Sequence, residues 1–410
     1  MKLVPIPKIE YENYRLDLMF DCYKWDPQFL DNNTVAKYAL VITKEEHKEL
    51  VALTEALDKE TREAEIFLND NQRLAKPLKL TKKLLGDIGR MGNYDPDKHI
   101  RLTRYDFHPV EDVAGGWAIS EVNSDVPGGF AEASLMPKVA MKYLRKSGDY
   151  TSYSIASFGD KMAEAVSLKV KAGGRIMLVH CTCYSDDRQV MEYLGDRLKE
   201  EGYEVIYGAV DHVNFKDGKA YSILDGNEGE LDAIFRFTPL EWFVDVKPKK
   251  WQGYFNTEAV SCNHPVAIYA QTKRFPLVWD VLENNGINMS TWRSLLPETK
   301  SAKDVAGNED YIFKPAYGRV GEGISIREAI DIKEYEKILR DVRRHPSRFV
   351  AQKKFTSRPL EGEEGQQYHV CLGSYAIDGA HGGYYARISA TPRIDSNAAD
   401  IPVLIERAGE

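Results

Sequence analysis

Arg104, Asp106 and His108 stand two apart along one segment, and Glu121 and Asn123 stand two apart along another. On a β-strand, residues two apart share a face. If both segments are strands and the two faces coincide, two carboxylates and an amide oxygen converge beside a guanidinium. An oxygen-only donor set of that kind suits Mg²⁺, which prefers octahedral oxygen coordination completed by phosphate. The same residues would also make an ordinary surface ladder of cross-strand ion pairs. The turn that follows, Asp125-Val-Pro-Gly-Gly129, favours the functional reading, because active residues concentrate on loops held by rigid strands.

A second centre is Lys314, which ends the apolar run Tyr311-Ile-Phe313. An ammonium there is costly to bury unless an anion pairs with it, and a phosphate would do so. Glycines at 318, 321 and 323 let backbone amides approach an anion closely, and Arg319 adds a planar donor fork. The stretch is not a Walker A loop, because G-x-x-x-x-G-K-[ST] is absent. The bland alternative is a tight glycine hairpin with an exposed lysine.

These residues need strands to hold them. Residues 100–107 and 117–123 alternate with period two around a polar segment, 109–116, and so read as a hairpin with a longish loop. Residues 310–314 read as a strand, with 324–326 as its partner across the glycine loop. A helix at 332–345 and strands at 349–352, 368–377 and 383–388 follow. Upstream, residues 1–95 read as mainly helical: Thr43-Lys-Glu-Glu46 is a capping box, with Leu50, Val51, Leu53 and Leu57 at helical spacing behind it. Further helices are expected at 78–88, 130–144 and 275–284. Residues 173–180, 187–201 and 203–207 read strand–helix–strand, a βαβ unit and hence a parallel, Rossmann-like layer. No G-x-G-x-x-G follows its first strand, so a dinucleotide site is not indicated. A hairpin around Lys216-Asp-Gly218 and a strand at 233–237 complete that region.

The bulk composition narrows the function classes. A chain of 410 residues with 43% hydrophobic and 29% charged residues has room for two or three domains and a large core. A net charge of -8 argues against a nucleic-acid binder, which needs a basic face. No window approaches the roughly 18 apolar residues of a membrane helix, and prolines and charges break up the N-terminus, so a cytoplasmic location is expected. Five cysteines are too few and odd in number for a disulfide framework. His180-Cys-Thr-Cys183 invites a metal reading, but x-spaced cysteines at a strand end are poor tetrahedral zinc ligands.

From Arg101 to the C-terminus, five fragments in order resemble the synthetase portion of glutathionylspermidine synthases and their single-domain relatives, a family of ATP-grasp ligases. Arg104-Tyr-Asp106, Glu121-Val-Asn-Ser-Asp125 and Glu132 resemble its R-x-D … E-x-N-x-D … E pattern. Phe237-Thr-Pro-Leu-Glu-Trp242 is similar to its aromatic-Pro/Trp-Glu segment, and Asn263 with Gln271-Thr-Lys273 and Pro276-Leu-Val-Trp279 to its N-K-x-x-L-P-x-L-W. Lys314-Pro-Ala-Tyr-Gly-Arg319 resembles its K-P-x-x-G-R, and Val370-Cys371, Gly382-Gly383, Arg387 and Asp400-Ile-Pro-Val-Leu-Ile-Glu406 follow the order of its C-terminal block.

The resemblance implies an α+β, ATP-grasp fold with an associated Rossmann-like βαβ (pre-ATP-grasp) domain. It divides the chain into a helical region 1–95, a hairpin and helix at 96–150, an α/β domain at 151–265 and a nucleotide-binding region at 266–410. It implies ATP and Mg²⁺ as cofactors, and small-molecule partners: a peptide or amino-acid carboxylate and an amine, possibly a polyamine. Asp106, Glu121 and Asn123 inherit Mg²⁺ ligation, and Arg104 inherits contact with the acyl substrate and developing phosphate. Lys273 and Lys314 inherit the nucleotide phosphates, and Val320, Gly321, Glu322 and Gly323 the flap over them. Gln352, Lys353, Lys354 and Phe355 inherit the segment bordering adenine. Arg319 and Arg387 inherit the pairing of the transferred phosphate's charge. Asp125 and Glu241 fall on the substrate side, Glu241 in the segment facing the peptide or amine. The implied reaction is formation of an amide bond through an acyl phosphate. Only about 95 residues precede the first motif, so the amidase of the bifunctional members is not implied. Where glutathione-using members carry hydroxyl side chains, this chain has Val126-Pro-Gly128. The same chemistry on another peptide or amino acid is one alternative, and a nucleotide-binding relative without turnover is another.

Overall fold

The two period-two segments pair as strands Leu102–Pro109 and Trp117–Asn123, with Arg104 opposite Asn123 and Asp106 opposite Glu121. The computed structural model describes residues 1–25, 27–89, 91, 94–111, 115–146, 153–245, 251–305, 308–318, 321 and 323–407. In it the hairpin forms one edge of an antiparallel sheet that continues through Gln367–Ile377, Ala380–Ser389 and the edge strand Ala399–Ile401. Strict alternation breaks once. The register shifts after Asp106, where Glu121 faces Asp106 but Ile119 faces Phe107, leaving Ser120 as an extra residue, a β-bulge. The bulge puts Trp117, Ile119 and Val122 on the apolar side with Tyr105 and Phe107, and frees Glu121 and Asn123 for the other side.

Behind the apolar face lies the helix Lys44–Asp70. The expected capping box forms at its start: the Thr43 side chain accepts from the Glu46 N–H, and Glu46 accepts from the Thr43 N–H. The helix buries Leu50, Leu57, Ala64 and Leu68. It also sends Asp58 and Thr61 into the sheet, where Tyr105 and Thr103 donate to Asp58 at 3.1 and 2.7 Å. Arg101 pairs with Asp58 and Glu65 in the same buried layer.

A second sheet, Thr299–Ser301, Phe349–Lys353 and Tyr311–Pro315, covers the hairpin edge. Its outer face packs Phe313 and Ala351 on Ile338 and Val342 of the helix Ile332–Arg344. The strand expected at 324–326 does not form. Ser325 donates its N–H to the Phe313 carbonyl, but its hydroxyl, rather than a backbone carbonyl, accepts from the Phe313 N–H at 2.7 Å, so the ladder stops there.

The expected βαβ unit forms, Arg175–Val179, Ser185–Glu200 and Glu204–Gly208. Ala233–Arg236 and Val260–Cys262 extend it into a parallel four-stranded sheet. The N-terminal stretch is less purely helical than its capping box and apolar spacing suggest. Lys2–Pro5 and the fully buried Tyr38–Ile42 join Val403–Glu406 and Tyr153–Ser154 in a further sheet that ties the two ends of the chain together. The helix expected at 78–88 splits into a 3₁₀ stretch, Gln72–Leu78, and a short helix, Lys82–Ile88, and the one at 275–284 likewise begins as 3₁₀. No described helix is long and apolar enough to cross a membrane.

Candidate active site

The polar face of the large sheet carries side chains in rows. Glu121, Asp106, Gly373 and Tyr385 lie side by side across four strands. On one side of them runs the row Asn123, Arg104, Tyr375, and on the other Cys371, Arg387, Asp400. Arg104 grips Asp106 with two donors, Nε to Oδ1 at 2.7 Å and Nη2 to Oδ2 at 3.0 Å, and Asn123 donates to the same carboxylate at 3.1 Å. The guanidinium lies over the Tyr385 ring, 4.9 Å from its centre, and donates to the Gly128 carbonyl at 2.9 Å. A glycine is required at 373, because a Cβ there would stand 2.6 Å from the Arg104 side chain.

Two lysines enter from the small sheet and from the segment leading to it. Lys273 pairs with Glu121 at 2.5 Å and donates to the Gly318 carbonyl at 2.6 Å, fastening the start of the glycine loop to the hairpin. Burial pushes the Glu121 carboxyl upward, but Lys273, Lys314 and Arg104 together hold it below its usual range. Lys314 is 4% exposed, and its hydrogen bonds go to neutral oxygens, Gln352 Oε1 at 2.6 Å and the Ser120 carbonyl at 3.3 Å. The bulge turns that carbonyl toward it. Burial, with Lys273 nearby, lowers the Lys314 ammonium to about 8 despite the attraction of Glu121. His108 beside it is lowered to about 4 by burial and by Lys314, so the ring is neutral.

A cavity of about 470 Å³ gathers Arg104, Asp106, Glu121, Asn123, Lys273, Lys314, Gly321, Phe355 and Arg387 on its walls. Gly321, at φ 68°, packs so closely on the Ile394 carbonyl that a Cβ would lie 2.5 Å from it. Gln352 is buried behind Lys314, while Lys353 and Lys354 are exposed, Lys354 in an ion pair with Glu328. Gly323 faces a neighbouring cavity lined by Arg274 and Tyr317. Asp125 is turned inward: Arg236 binds its Oδ1, and the Leu240 N–H donates to its Oδ2 at 2.8 Å, which ties the 237–240 segment to the hairpin. Glu241 is half-buried next to Trp242, which lines the cavity. Arg319, Val320 and Glu322 lie outside the described residues.

Two motif residues turn out to brace the hairpin. Asn263 exchanges hydrogen bonds with the Leu102 backbone at 2.7 and 2.6 Å, and Gln271 Oε1 accepts from the Ser124 and Asp125 N–H groups at 2.9 Å. Other wall residues carried no signal in the pattern, among them Lys24, Tyr385, Gln189 and Arg393. Lys24 and Gln189 sit in segments with neither glycine nor strand periodicity.

The donor set fits Mg²⁺ with a nucleotide. Mg²⁺ is commonly held by one or two carboxylates plus substrate phosphates rather than by an all-protein cage, and Asp106, Glu121 and the Asn123 amide offer such a partial set. Among the described residues Lys314 is a buried ammonium without a hydrogen-bonded carboxylate, and a phosphate would supply such an anion. His180, Cys181 and Cys183 lie elsewhere, the two sulfurs 3.4 Å apart, and no group of three or more His, Cys, Asp or Glu gathers for a metal among the described residues.

Residues 16–406 match the family model described as glutathionylspermidine synthase, preATP-grasp. Among solved structures, a glutathione synthetase-like effector from Globodera pallida superposes with a TM-score of 0.64 at 12% identity, over 97% of each chain. A putative gamma-glutamylcysteine synthetase from Methylobacillus flagellatus KT gives 0.47 at 15% identity, over 86% of this chain and 88% of its own.

Proposed function

Because the chain belongs to the glutathionylspermidine synthase family and has the α+β ATP-grasp fold of that kind of ligase, we propose that it joins a carboxylate to an amine at the expense of ATP and Mg²⁺, through an acyl phosphate. The observation that carries this reading is the convergence of the Asp106–Glu121–Asn123 oxygens with Lys273, Lys314 and the glycine loop on one cavity. Lys273, Lys314 and the loop bind the triphosphate. Asp106, Glu121 and Asn123 hold Mg²⁺, which neutralises charge on the phosphates when bound. Phe355, whose ring centre is 5.3 Å from that of His108, borders the adenine with Gln352, Lys353 and Lys354.

The substrate carboxylate oxygen attacks the γ-phosphorus, a P–O bond to ADP breaks, and Arg104 and Arg387 stabilise the charge on the transferring group by position rather than by covalent chemistry. The amine then attacks the acyl carbon, phosphate leaves, and in this reading the amine proton passes to Glu241, the chain neighbour of the cavity-lining Trp242. Arg104 is already oriented by Asp106 and Tyr385, so little reorganisation is needed.

The acyl substrate in this reading is a peptide or amino acid other than glutathione. Val126 and Gly128 line the cavity where hydroxyl-bearing side chains would be needed, and the Gly128 carbonyl is already occupied by Arg104 and by the Tyr375 hydroxyl. The location in this reading is cytoplasmic.

Thermal unfolding with and without millimolar Mg-ATP tests the nucleotide assignment, with a rise in melting temperature expected. A phosphate-release screen over peptides and amino acids crossed with amines then identifies the substrates. Asp106→Asn and Glu121→Gln should each abolish phosphate release with the fold retained. Undiminished turnover in both variants would remove the metal assignment.

A further inference from the structure

Asp400 lies on the opposite edge strand of the large sheet from the one Lys314 contacts, four strand spacings or about 19 Å away. There two carboxylates from distant parts of the chain face each other. Glu132 comes from the short helix Phe130–Ser134, and Asp400 from the strand Ala399–Ile401. Both line the cavity, both are buried, and between them stands Lys24, with its Nζ 2.7 Å from Asp400 Oδ2 and 3.4 Å from Glu132 Oε1.

Lys24 is held in place from both sides. The segment that follows the helix Tyr11–Asp21 is fastened by the Cys22 thiol donating to the Ala131 carbonyl at 3.5 Å and by the Tyr23 hydroxyl donating to Asp196 at 2.6 Å. The N–H of Lys24 donates to the Leu18 carbonyl at 3.1 Å. On the acidic side, Tyr385 donates to Asp400 Oδ1 at 2.7 Å and Gln189 to Glu132 Oε1 at 3.4 Å, while Glu132 Oε2 is buried without a partner among the described residues. Burial and the nearness of Asp400 raise the Glu132 carboxyl even with Lys24 beside it.

Two buried carboxylates on a ligand cavity, one with an unsatisfied oxygen, form an ammonium site. Here the ammonium comes from the chain itself. We propose that Lys24 is a specificity-determining residue: its Nζ occupies the position between Glu132 and Asp400 that a substrate ammonium would take, so the site selects an acceptor amine with no second ammonium at that end. The inference rests on the ligase reading of the same cavity. A diamine entering this end would bring a second cation against Lys24 at a spot already neutralised, whereas an amine with a single ammonium and a neutral or carboxylate-bearing tail, such as an amino acid, meets no such repulsion.

The test is chemical rescue. Lys24→Ala deletes the equivalent of one n-propylammonium ion. The variant is expected to melt several degrees below wild type and to recover at least half of that loss in millimolar propylammonium, but not in propan-1-ol. It is also expected to bind 1,4-diaminobutane at least about tenfold tighter than wild type does. Recovery no better with propylammonium than with propan-1-ol overturns the proposal, as does equal affinity of the two proteins for the diamine. If Lys24→Ala does not fold, wild type alone decides: the proposal predicts no stabilisation by the diamine beyond that by propylammonium, and tenfold tighter binding of the diamine overturns it. The Mg-ATP shift is read alongside. Its absence in wild type counts against the ligase reading while leaving the rescue result intact, and its presence without rescue removes the Lys24 assignment alone.

Discussion

Replacing Lys314 with methionine sets stability against function in a way the structure quantifies. Its ammonium falls from 10.5 to about 8 on folding. At about 1.4 kcal/mol per pH unit, keeping that charge in the folded, ligand-free protein at neutral pH costs about 3 kcal/mol. Lys314→Met removes this penalty and keeps most of the side-chain volume. It also leaves Gln352 Oε1 without its 2.6 Å donor, and an unsatisfied buried acceptor costs about 1–3 kcal/mol; the 3.3 Å contact with the Ser120 carbonyl is longer than an ordinary N–H···O bond and adds little. The net expectation is a ligand-free protein from about equal to about 2 kcal/mol more stable than wild type, with the stabilisation by Mg-ATP lost. Urea unfolding measures the first quantity, and the melting shift with Mg-ATP the second.

The sign with pH follows from the same fall. Between about 8 and 10.5 the unfolded chain holds a proton that the folded site has released, so this group makes wild-type stability rise with pH through that window, while below it the full penalty applies. The advantage of Lys314→Met over wild type should therefore fall by about 2 kcal/mol or more from pH 7 to 10 and reverse, leaving wild type the more stable protein at pH 10. At pH 8 the binding of Mg-ATP should draw about half a proton onto Lys314, visible as a dependence of the calorimetric enthalpy on buffer ionisation. At pH 7, a variant more than about 1 kcal/mol less stable than wild type, or one that keeps the full Mg-ATP shift, would refute the view of Lys314 as a charge held in readiness for phosphate.

Asp125→Ala strands the buried Arg236 guanidinium and frees the Leu240 N–H, so a loss of about 3–5 kcal/mol is expected in urea unfolding; a loss below about 1 kcal/mol would show that the pair does not hold the 237–240 segment. Thr43→Ala removes half of the capping box on the helix Lys44–Asp70 and should lower stability by about 1 kcal/mol, with phosphate release per folded molecule unchanged because Thr43 is remote from the cavity.

The amino-acid sequence by itself determined the pieces whose cause is local. Thr43 and Glu46 three residues apart are enough to start a helix, and alternation is enough to make strands of 102–109 and 117–123. The placement of Lys314 at the end of an apolar strand was legible for the same reason. What depends on partners distant in the chain was decided only by the tertiary structure. The bulge at Ser120 answers to the pairing of two strands, and without it Glu121 and Ile119 would share a face. Ser325 satisfies Phe313 through its hydroxyl, so three β-branched and small residues that read as a strand do not make one. Asp125 and Arg236 are 111 residues apart and find each other only after the parallel layer docks on the hairpin. Lys24 and Asp400 meet because the N-terminal segment packs across the far edge of the large sheet. Periodicity reports which way a side chain points from its own backbone; which charge it meets there is fixed by how the layers pack.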